Sequence, residues 1–251
     1  LQSGFSVILI DNLSNSELFI LDRIIMITGK SPVFYEMDVC DEYKLDQVFK
    51  SHQIDAVIHF AAFKAVGESI QKPIKYFKNN INSLLSILSV MENYSCNRIV
   101  FSSSATVYGS ADKFPIKETA PFKKSLSAYG STKQIGEDIL EKVSSSSNLK
   151  SIALRYFNPV GAHKSGLIGE LPIGTPNNLM PYLTQFAAKK AEKFTVFGRN
   201  YSTPDGTCLR DYIHVVDLAK AHVKACEYLI NKLEAKVFDA FNIGTGTANS
   251  V

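Results

Sequence analysis

Short apolar runs alternate with stretches of helical periodicity through the first 157 residues, and this alternation limits the possible folds more than any other feature. The predicted strands are residues 5–10, 33–38, 56–60, 98–103 and 151–155. The predicted helices are about 41–51, 74–93 and 129–144. A chain that returns to the same edge of a parallel sheet needs a crossover helix. This order therefore predicts an α/β fold with a doubly wound parallel sheet.

The local amino-acid composition changes after Asn158, where Gly, Pro and Asn become frequent through Pro181. Beyond this point the pattern predicts helices at about 179–192 and 216–231 and a short strand at 195–197. We therefore predict a Rossmann-like domain over residues 1–157 and a smaller lobe over residues 158–251. Ligands of doubly wound folds bind outside the carboxyl ends of the strands, so the side chains at those ends are candidates for a site.

The composition favours a globular protein that works in the cytoplasm. The net charge of +3 is scattered, and we interpret the lysine-containing loop 113–124 as a solvated face, so no nucleic-acid partner is expected. The longest apolar stretch, 18–27, is interrupted by charges, so no membrane contact is expected. Four cysteines lack the spacing of metal ligands and are interpreted as reduced thiols. They are Cys40, Cys96, Cys208 and Cys226.

Tyr129 and Lys133 are four residues apart and therefore lie on one face of the predicted helix. A free Tyr titrates near ~10 and is a poor base at neutral pH. A neighbouring ammonium favours the phenolate, so the pattern predicts a lowered pKa for Tyr129 and a proton acceptor for a hydroxyl group. Taken alone, the same spacing is also typical of an ordinary surface pair.

A serine-rich strand end makes the Tyr–Lys pair more specific. Residues 101–109 read Phe-Ser-Ser-Ser-Ala-Thr-Val-Tyr-Gly, one crossover before Tyr129. A hydroxyl at Ser104 can donate to a substrate oxygen and relay its proton. The alternative is a polar strand exit capped by serines, and the combination of both motifs favours the catalytic interpretation.

With these motifs the chain resembles the UDP-glucose 4-epimerases, a family of extended short-chain dehydrogenases/reductases. Further matching segments are 59–73, 155–163, 176–181 and 210–215. The resemblance implies a tightly held NAD cofactor, UDP-galactose and UDP-glucose as substrates, and a homodimer formed through the helices near 74–93 and 129–144. It also implies Tyr129, Lys133 and Ser104 as catalytic residues.

The resemblance assigns a set of cofactor contacts. Asp11 matches the carboxylate that accepts from the adenosine ribose, which favours NAD over NADP. Asp11 also fits a plain turn, Asp38 fits a helix cap region, and Asn79 fits a solvent-facing helical position. The implied NAD contacts are Asp11, Asn12, Asp38, Val39, Phe60, Ala61, Lys64, Asn79, Ser102, Tyr129, Lys133 and Phe157.

The resemblance also assigns substrate contacts. Asn178 and Leu179 match a diphosphate contact at a helix start, where free amides favour anions. Arg210 matches a guanidinium clamp on the diphosphate, although it also fits a surface ion pair with Asp211. The implied substrate contacts are Ser104, Tyr129, Asn158, Asn178, Leu179, Thr195, Phe197 and Arg210.

Two residues distinguish epimerisation from dehydration within this resemblance. Related sugar dehydratases carry Asp-Glu where this chain has Ala105 and Thr106, and elimination of water needs an acid and a base at that place. We therefore expect transient oxidation at C4 with return of the hydride to the opposite face. The alternatives are a UDP-glucuronate or UDP-pentose 4-epimerase and a non-catalytic binding protein.

One departure from the family concerns the ends of the chain. The family opens with a strand and a Gly-rich phosphate loop, whereas residues 1–10 match the end of the first helix and the second strand. The family's final segment has no counterpart either. We expect a fragment lacking both ends, whose hold on NAD is weak because the phosphate loop is missing.

Overall fold

Strands and helices alternate along the chain as the apolar pattern predicts. The computed structural model describes residues 1–174, 176, 178–196, 198–232 and 237–251. The strands are β1 Ile8–Asp11, β2 Val33–Glu36, β3 Val57–His59, β4 Arg98–Ser102, β5 Lys150–Tyr156, β6 Asn158–Val160, β7 Leu209–His214, β8 Val237–Ile243 and β9 Ala248–Ser250. The α-helices are α1 Ile20–Thr28, α2 Glu42–Ser51, α3 Val66–Gln71, α4 Pro73–Asn93, α5 Ala128–Ser146, α6 Leu179–Ala187 and α7 Val215–Asn231.

The chain divides into two compact units. The first, which we call the sheet unit, comprises residues 37–156 and 220–243. The second unit comprises residues 1–36, 157–219 and 244–251. The domain boundary expected at residue 157 stays a prediction.

The sheet unit is built on four parallel strands in the order β3-β4-β5-β8. All residues of β5 up to Arg155 are buried, as are Ile99 to Ser102 of β4, because a parallel sheet is covered on both faces. Part of the core joins the two central strands to α7. It contains Val100, Ile152, Leu154, Ala225, Cys226 and Leu229.

The second unit holds smaller sheets. Strands β1 and β2 form a parallel pair, with Ile8 opposite Val33. Strand β7 pairs with β6 in parallel and with β9 in antiparallel orientation. The parallel strands of both units and the intervening helices confirm the predicted fold class.

The structure corrects the sequence-based elements mainly between residues 188 and 197. Helix α6 ends at Ala187 rather than near 192, and Lys189 has a positive φ of 58°, which α-helical backbone does not allow. Thr195 and Val196 lie outside any strand, and Phe197 lies outside the described residues. The apolar character that suggested a strand here belongs to a packing contact instead: the ring of Phe194 packs on the ring of Tyr182, with 5.4 Å between the ring centres.

Among the described residues, no helix combines the length and the apolar character needed to cross a bilayer.

Candidate active site

Helix α5 places Tyr129 and Lys133 inside the sheet unit rather than on its surface. Its first turn is capped by Ser127, whose side chain accepts a hydrogen bond from the amide of Gly130 at 3.1 Å. Tyr129 is 7% exposed and Lys133 is 3% exposed. The Lys133 ammonium lies 5.7 Å from the centre of the Tyr129 ring. The alternative of an ordinary surface pair is therefore wrong.

The end of β4 lies against this face of α5. The Lys133 ammonium donates to the carbonyl of Ser102 at 2.6 Å and sits 4.8 Å above the ring of Phe101. Helix and strand come this close because residue 136 is a glycine. A Cβ atom on Gly136 would lie 2.6 Å from Cζ of Phe101, well inside van der Waals contact.

Ser104 completes the predicted catalytic group. Its side chain is hydrogen-bonded to Tyr129. Its Oγ also accepts from the amide of Thr106 at 3.3 Å, at the start of the short 3-10 helix 105–108. The fold thus brings together Ser102, Ser104, Tyr129 and Lys133 as the sequence predicts.

The electrostatics of the pair differ from the prediction in one respect. Burial raises the pKa of Tyr129, and the neighbouring Tyr156 raises it further, while the hydrogen bond from Ser104 opposes both. The expected net lowering of the Tyr129 pKa is therefore wrong for the chain alone. Burial also lowers the pKa of Lys133 to about 8, against the opposing effect of the Glu137 carboxylate. Lys133 is thus partly neutral at mildly alkaline pH.

The other predicted cofactor contacts of the sheet unit lie in loops and at helix edges. Asp38 does not cap α2, because Asp41 does so by accepting from the amide of Lys44, while Asp38 accepts from the amide of Cys40 at 2.8 Å. Phe60 is 54% exposed and packs on the ring of His222. The remaining members are the half-buried Val39, Ala61 and Asn79 and the exposed Lys64.

In the second unit, Asp11 and Asn12 form the turn after β1. Asp11 Oδ1 accepts from the amide of Leu13 at 2.7 Å and from the Ser16 hydroxyl at 2.8 Å. Asn12 accepts from the amide of Ser14 at 3.1 Å. Asp11 therefore does form a turn, as the alternative interpretation expected. Its exposed carboxylate can still accept further hydrogen bonds.

The predicted substrate contacts of the second unit are mostly exposed. Asn178 precedes α6, which begins at Leu179, and its side-chain amide donates to Glu170 at 2.6 Å. Arg210 lies in β7 and donates to the carbonyl of Leu209 at 2.7 Å. The neighbouring Asp211 accepts from the amides of Thr245 and Gly246.

Asn158 opens β6, preceded by the half-buried Phe157, and Thr195 lies in a loop. The predicted contact Phe197 falls outside the described residues.

Sequence reasoning missed several buried polar groups beside Lys133. Glu137 is 2% exposed and pairs with Arg155, which is 6% exposed. The hydroxyl of Tyr156 lies 2.5 Å from Oγ of Ser102. Glu137 follows Lys133 at the same four-residue spacing that links Lys133 to Tyr129, so the helical period could have identified it.

His59, at the end of β3, is a further buried group, and it should make stability depend on pH. Burial, and after it the charge of Lys133, lowers its pKa to about 3. The unfolded chain protonates it near ~6.5. Below that pH the unfolded state binds more protons, so the free energy of unfolding falls as the pH is lowered. Urea unfolding between pH 7 and pH 4.5 should show a smaller decrease for His59→Gln than for the parent.

His163→Gln provides the control, since His163 lies in a loop and its ring is hydrogen-bonded to Ser165. An identical pH dependence in parent and His59→Gln would contradict the assignment.

The likeness of this protein to known proteins extends over the whole chain. A model of the NAD dependent epimerase/dehydratase family matches residues 1–244. A UDP-glucose 4-epimerase of Bacillus subtilis is 52% identical over 252 residues, which cover 100% of this chain and 73% of that protein.

Two solved structures show the same likeness. A UDP-glucose 4-epimerase from Bifidobacterium longum, in complex with NAD+ and UDP, superposes with a TM-score of 0.94 at 46% identity and covers 99% of this chain and 73% of that chain. A UDP-glucose-4-epimerase from Stenotrophomonas maltophila, with bound NAD and formylated UDP-arabinopyranose, has the same TM-score, identity and coverage.

Proposed function

Because this chain belongs to the NAD dependent epimerase/dehydratase family, we propose that it interconverts UDP-galactose and UDP-glucose by transient oxidation at C4 of the sugar. The observation that carries the proposal is the buried contact of Ser104, Tyr129 and Lys133 at the end of β4. The identity of 52% to a UDP-glucose 4-epimerase and the bound NAD of the similar structures support it.

The residues present fit NAD. The buried ammonium of Lys133 has one acceptor among the described residues, the carbonyl of Ser102, and retains two N–H donors for a ribose diol. Thr106 Oγ1 is buried and has no hydrogen-bond partner among the described residues, so this end of the sheet also holds an unused polar group. In the second unit, Asp11 would accept from the adenosine ribose. When bound, NAD would supply the reversible hydride acceptor for the sugar carbon C4.

The protein's own groups handle the proton. Tyr129 takes the proton of the sugar 4-hydroxyl, directly or through Ser104, and gives it back after the keto sugar has turned over. Burial disfavours the phenolate that forms on Tyr129, and the cationic form of Lys133 offsets part of that cost. Ser104 is held for the relay by its bond to the amide of Thr106.

The residues beside Ser104 favour epimerisation over dehydration. Ala105 and Thr106 occupy the 3-10 helix after β4 and carry no carboxylate. Loss of water from the sugar needs an acid and a base at this point, and an alanine and a threonine supply neither at neutral pH. Oxidation and reduction without elimination therefore fit this strand end best.

The substrate assignment is tested by presenting alternative sugars to the NAD-loaded protein. We expect UDP-galactose to give UDP-glucose, measured by chromatography of the nucleotide sugars, and UDP-glucuronate to react at least about tenfold more slowly. Turnover of UDP-glucuronate at a comparable rate would move the assignment to an acidic sugar. Absence of any conversion would favour a binding protein without catalysis.

Two finer features belong to the same proposal. The homodimer through α4 and α5 is supported by apolar side chains exposed on these helices, among them Ile74, Leu85 and Ile135.

A cytoplasmic location is supported by the four cysteines, all of which are free thiols.

A further inference from the structure

Three consecutive serines at the end of β4 each contact a different residue of α5. The carbonyl of Ser102 accepts from Lys133, the hydroxyl of Ser103 donates to Glu137, and the hydroxyl of Ser104 bonds with Tyr129. The three residues of α5 are spaced by four, so they form one line along the helix. Two members of this line belong to the proposed catalytic group, and the third, Glu137, has no role in it.

Glu137 is held by a complete set of partners. Arg155 Nε lies 3.0 Å from both carboxylate oxygens, and Arg155 Nη2 lies 2.6 Å from Oε2. Arg155 Nη1 in turn donates to the Tyr108 hydroxyl at 2.9 Å and to the carbonyl of Glu118 at 3.0 Å. The Tyr108 hydroxyl donates to Asn242 at 2.6 Å. A buried carboxylate with this many donors has a fixed position.

The Glu137 carboxylate acts on Lys133. Among the described residues, the ionisable groups around the ammonium are His59 on β3, Tyr129 and Glu137 on α5, and Tyr156 and Arg155 on β5. His59 is buried and neutral, and burial raises the pKa of both Tyr129 and Tyr156, so both are neutral phenols at pH 7. Glu137 is therefore the group of this set that favours the cation of Lys133.

We propose that Glu137 is a positioning residue of the epimerase reaction, which keeps Lys133 cationic and fixes the serine-rich strand end against α5. The proposal rests on the proposed function, because the cation of Lys133 has a use only if Tyr129 must lose its proton. It differs from a purely structural role, since a buried ion pair that only joins α5 to β5 would leave the ionisation of Lys133 unchanged.

Glu137→Gln tests the charge, because glutamine keeps the size and can still accept from Ser103 and Arg155. Loss of the negative charge disfavours the ammonium, so the alkaline limb of the kcat profile should move roughly one unit lower in pH. Activity at pH 9 should fall about tenfold, with a change within about threefold at pH 6.5. Asp138→Asn removes an equal charge from the next position of α5, where Asp138 is exposed and pairs with Lys142, and should leave the profile unchanged.

A second readout does not require catalysis. The 13Cε resonance of Lys133 in lysine-labelled protein reports its titration, and its midpoint should also fall by roughly one unit in Glu137→Gln. The double variant Glu137→Gln/Arg155→Met leaves no charge of the pair unpaired and serves if the single variant fails to fold; its midpoint should fall in the same direction but by less, because the nearby Arg155 cation is removed as well. Midpoints and alkaline limbs equal to those of the parent in the folded variants would overturn the proposal. A parent that shows no epimerisation would defeat the proposed function, while the resonance would still decide the role of Glu137.

Discussion

Replacement of Tyr129 by Phe should lower the rate of UDP-galactose epimerisation by about a thousandfold, since a positioned general base contributes on this order. Phenylalanine retains the ring that packs with Tyr76 and Ala128 and removes only the hydroxyl that bonds to Ser104. The sugar 4-hydroxyl then loses its proton acceptor. Product formation from UDP-galactose gives the rate, and thermal unfolding shows whether the fold is kept.

Tyr76→Phe is the matched control for this prediction. Tyr76 is a buried tyrosine of the same cluster, and its hydroxyl donates to Glu68 at 2.9 Å. It should lose stability through the unpaired Glu68 oxygen but keep its activity within about threefold. A Tyr129→Phe protein that retains more than a tenth of the parent rate would mean that another group takes the proton.

Replacement of Arg155 by Met should lower the free energy of unfolding by about 3–5 kcal/mol, the cost of leaving one charge of a buried pair without its partner. Arg155 makes three contacts of 3.0 Å or less with the Glu137 carboxylate, and both side chains are almost fully buried. Methionine fills much of the same volume, so the lost partner rather than a cavity dominates. Urea unfolding of parent and variant measures the difference.

The double variant separates the charge from the packing. Glu137→Gln together with Arg155→Met removes both charges and should recover at least half of the lost free energy. A surface pair provides the comparison: Lys142→Met breaks the exposed pair with Asp138, 2.9 Å apart, and should change the free energy of unfolding far less, because water screens exposed charges. If Arg155→Met were as mild as Lys142→Met, the pair would not be a buried support of α5.

The central elements of the fold were predictable from sequence because their signals are local and strong. Strands β4 and β5 are continuous apolar runs, and α4 and α5 carry long helical periods, so the observed bounds lie within a few residues of the predicted ones. The segment 188–196 was not predictable in this way. Its few apolar residues fit the pattern of a strand. However, Phe194 packs on Tyr182 of α6, and a strand without a paired neighbour gains no hydrogen bonds.

The candidate active site was predictable to the extent that the spacing of residues along the sequence determines it. The positions of Tyr129, Lys133 and Ser104 follow from a helical period and a strand end. Glu137 and Arg155 escaped prediction because charged residues are nearly always exposed, and only tertiary pairing makes their burial acceptable. The predicted direction of the pKa shift of Tyr129 was wrong for a related reason. The spacing of the residues places a cation near the phenol, but it does not show how far burial excludes water from that phenol.

The line of contacts between the three serines and α5 also affects local unfolding of this helix away from the end of β4. Each contact joins neighbouring residues of one strand end to successive turns of one helix, so the helix cannot slide or fray past Lys133 without breaking the bonds of Tyr129 and Glu137 as well. The proton acceptor, its cation and the ion pair below them therefore form one cooperative element that is kept or lost as a whole.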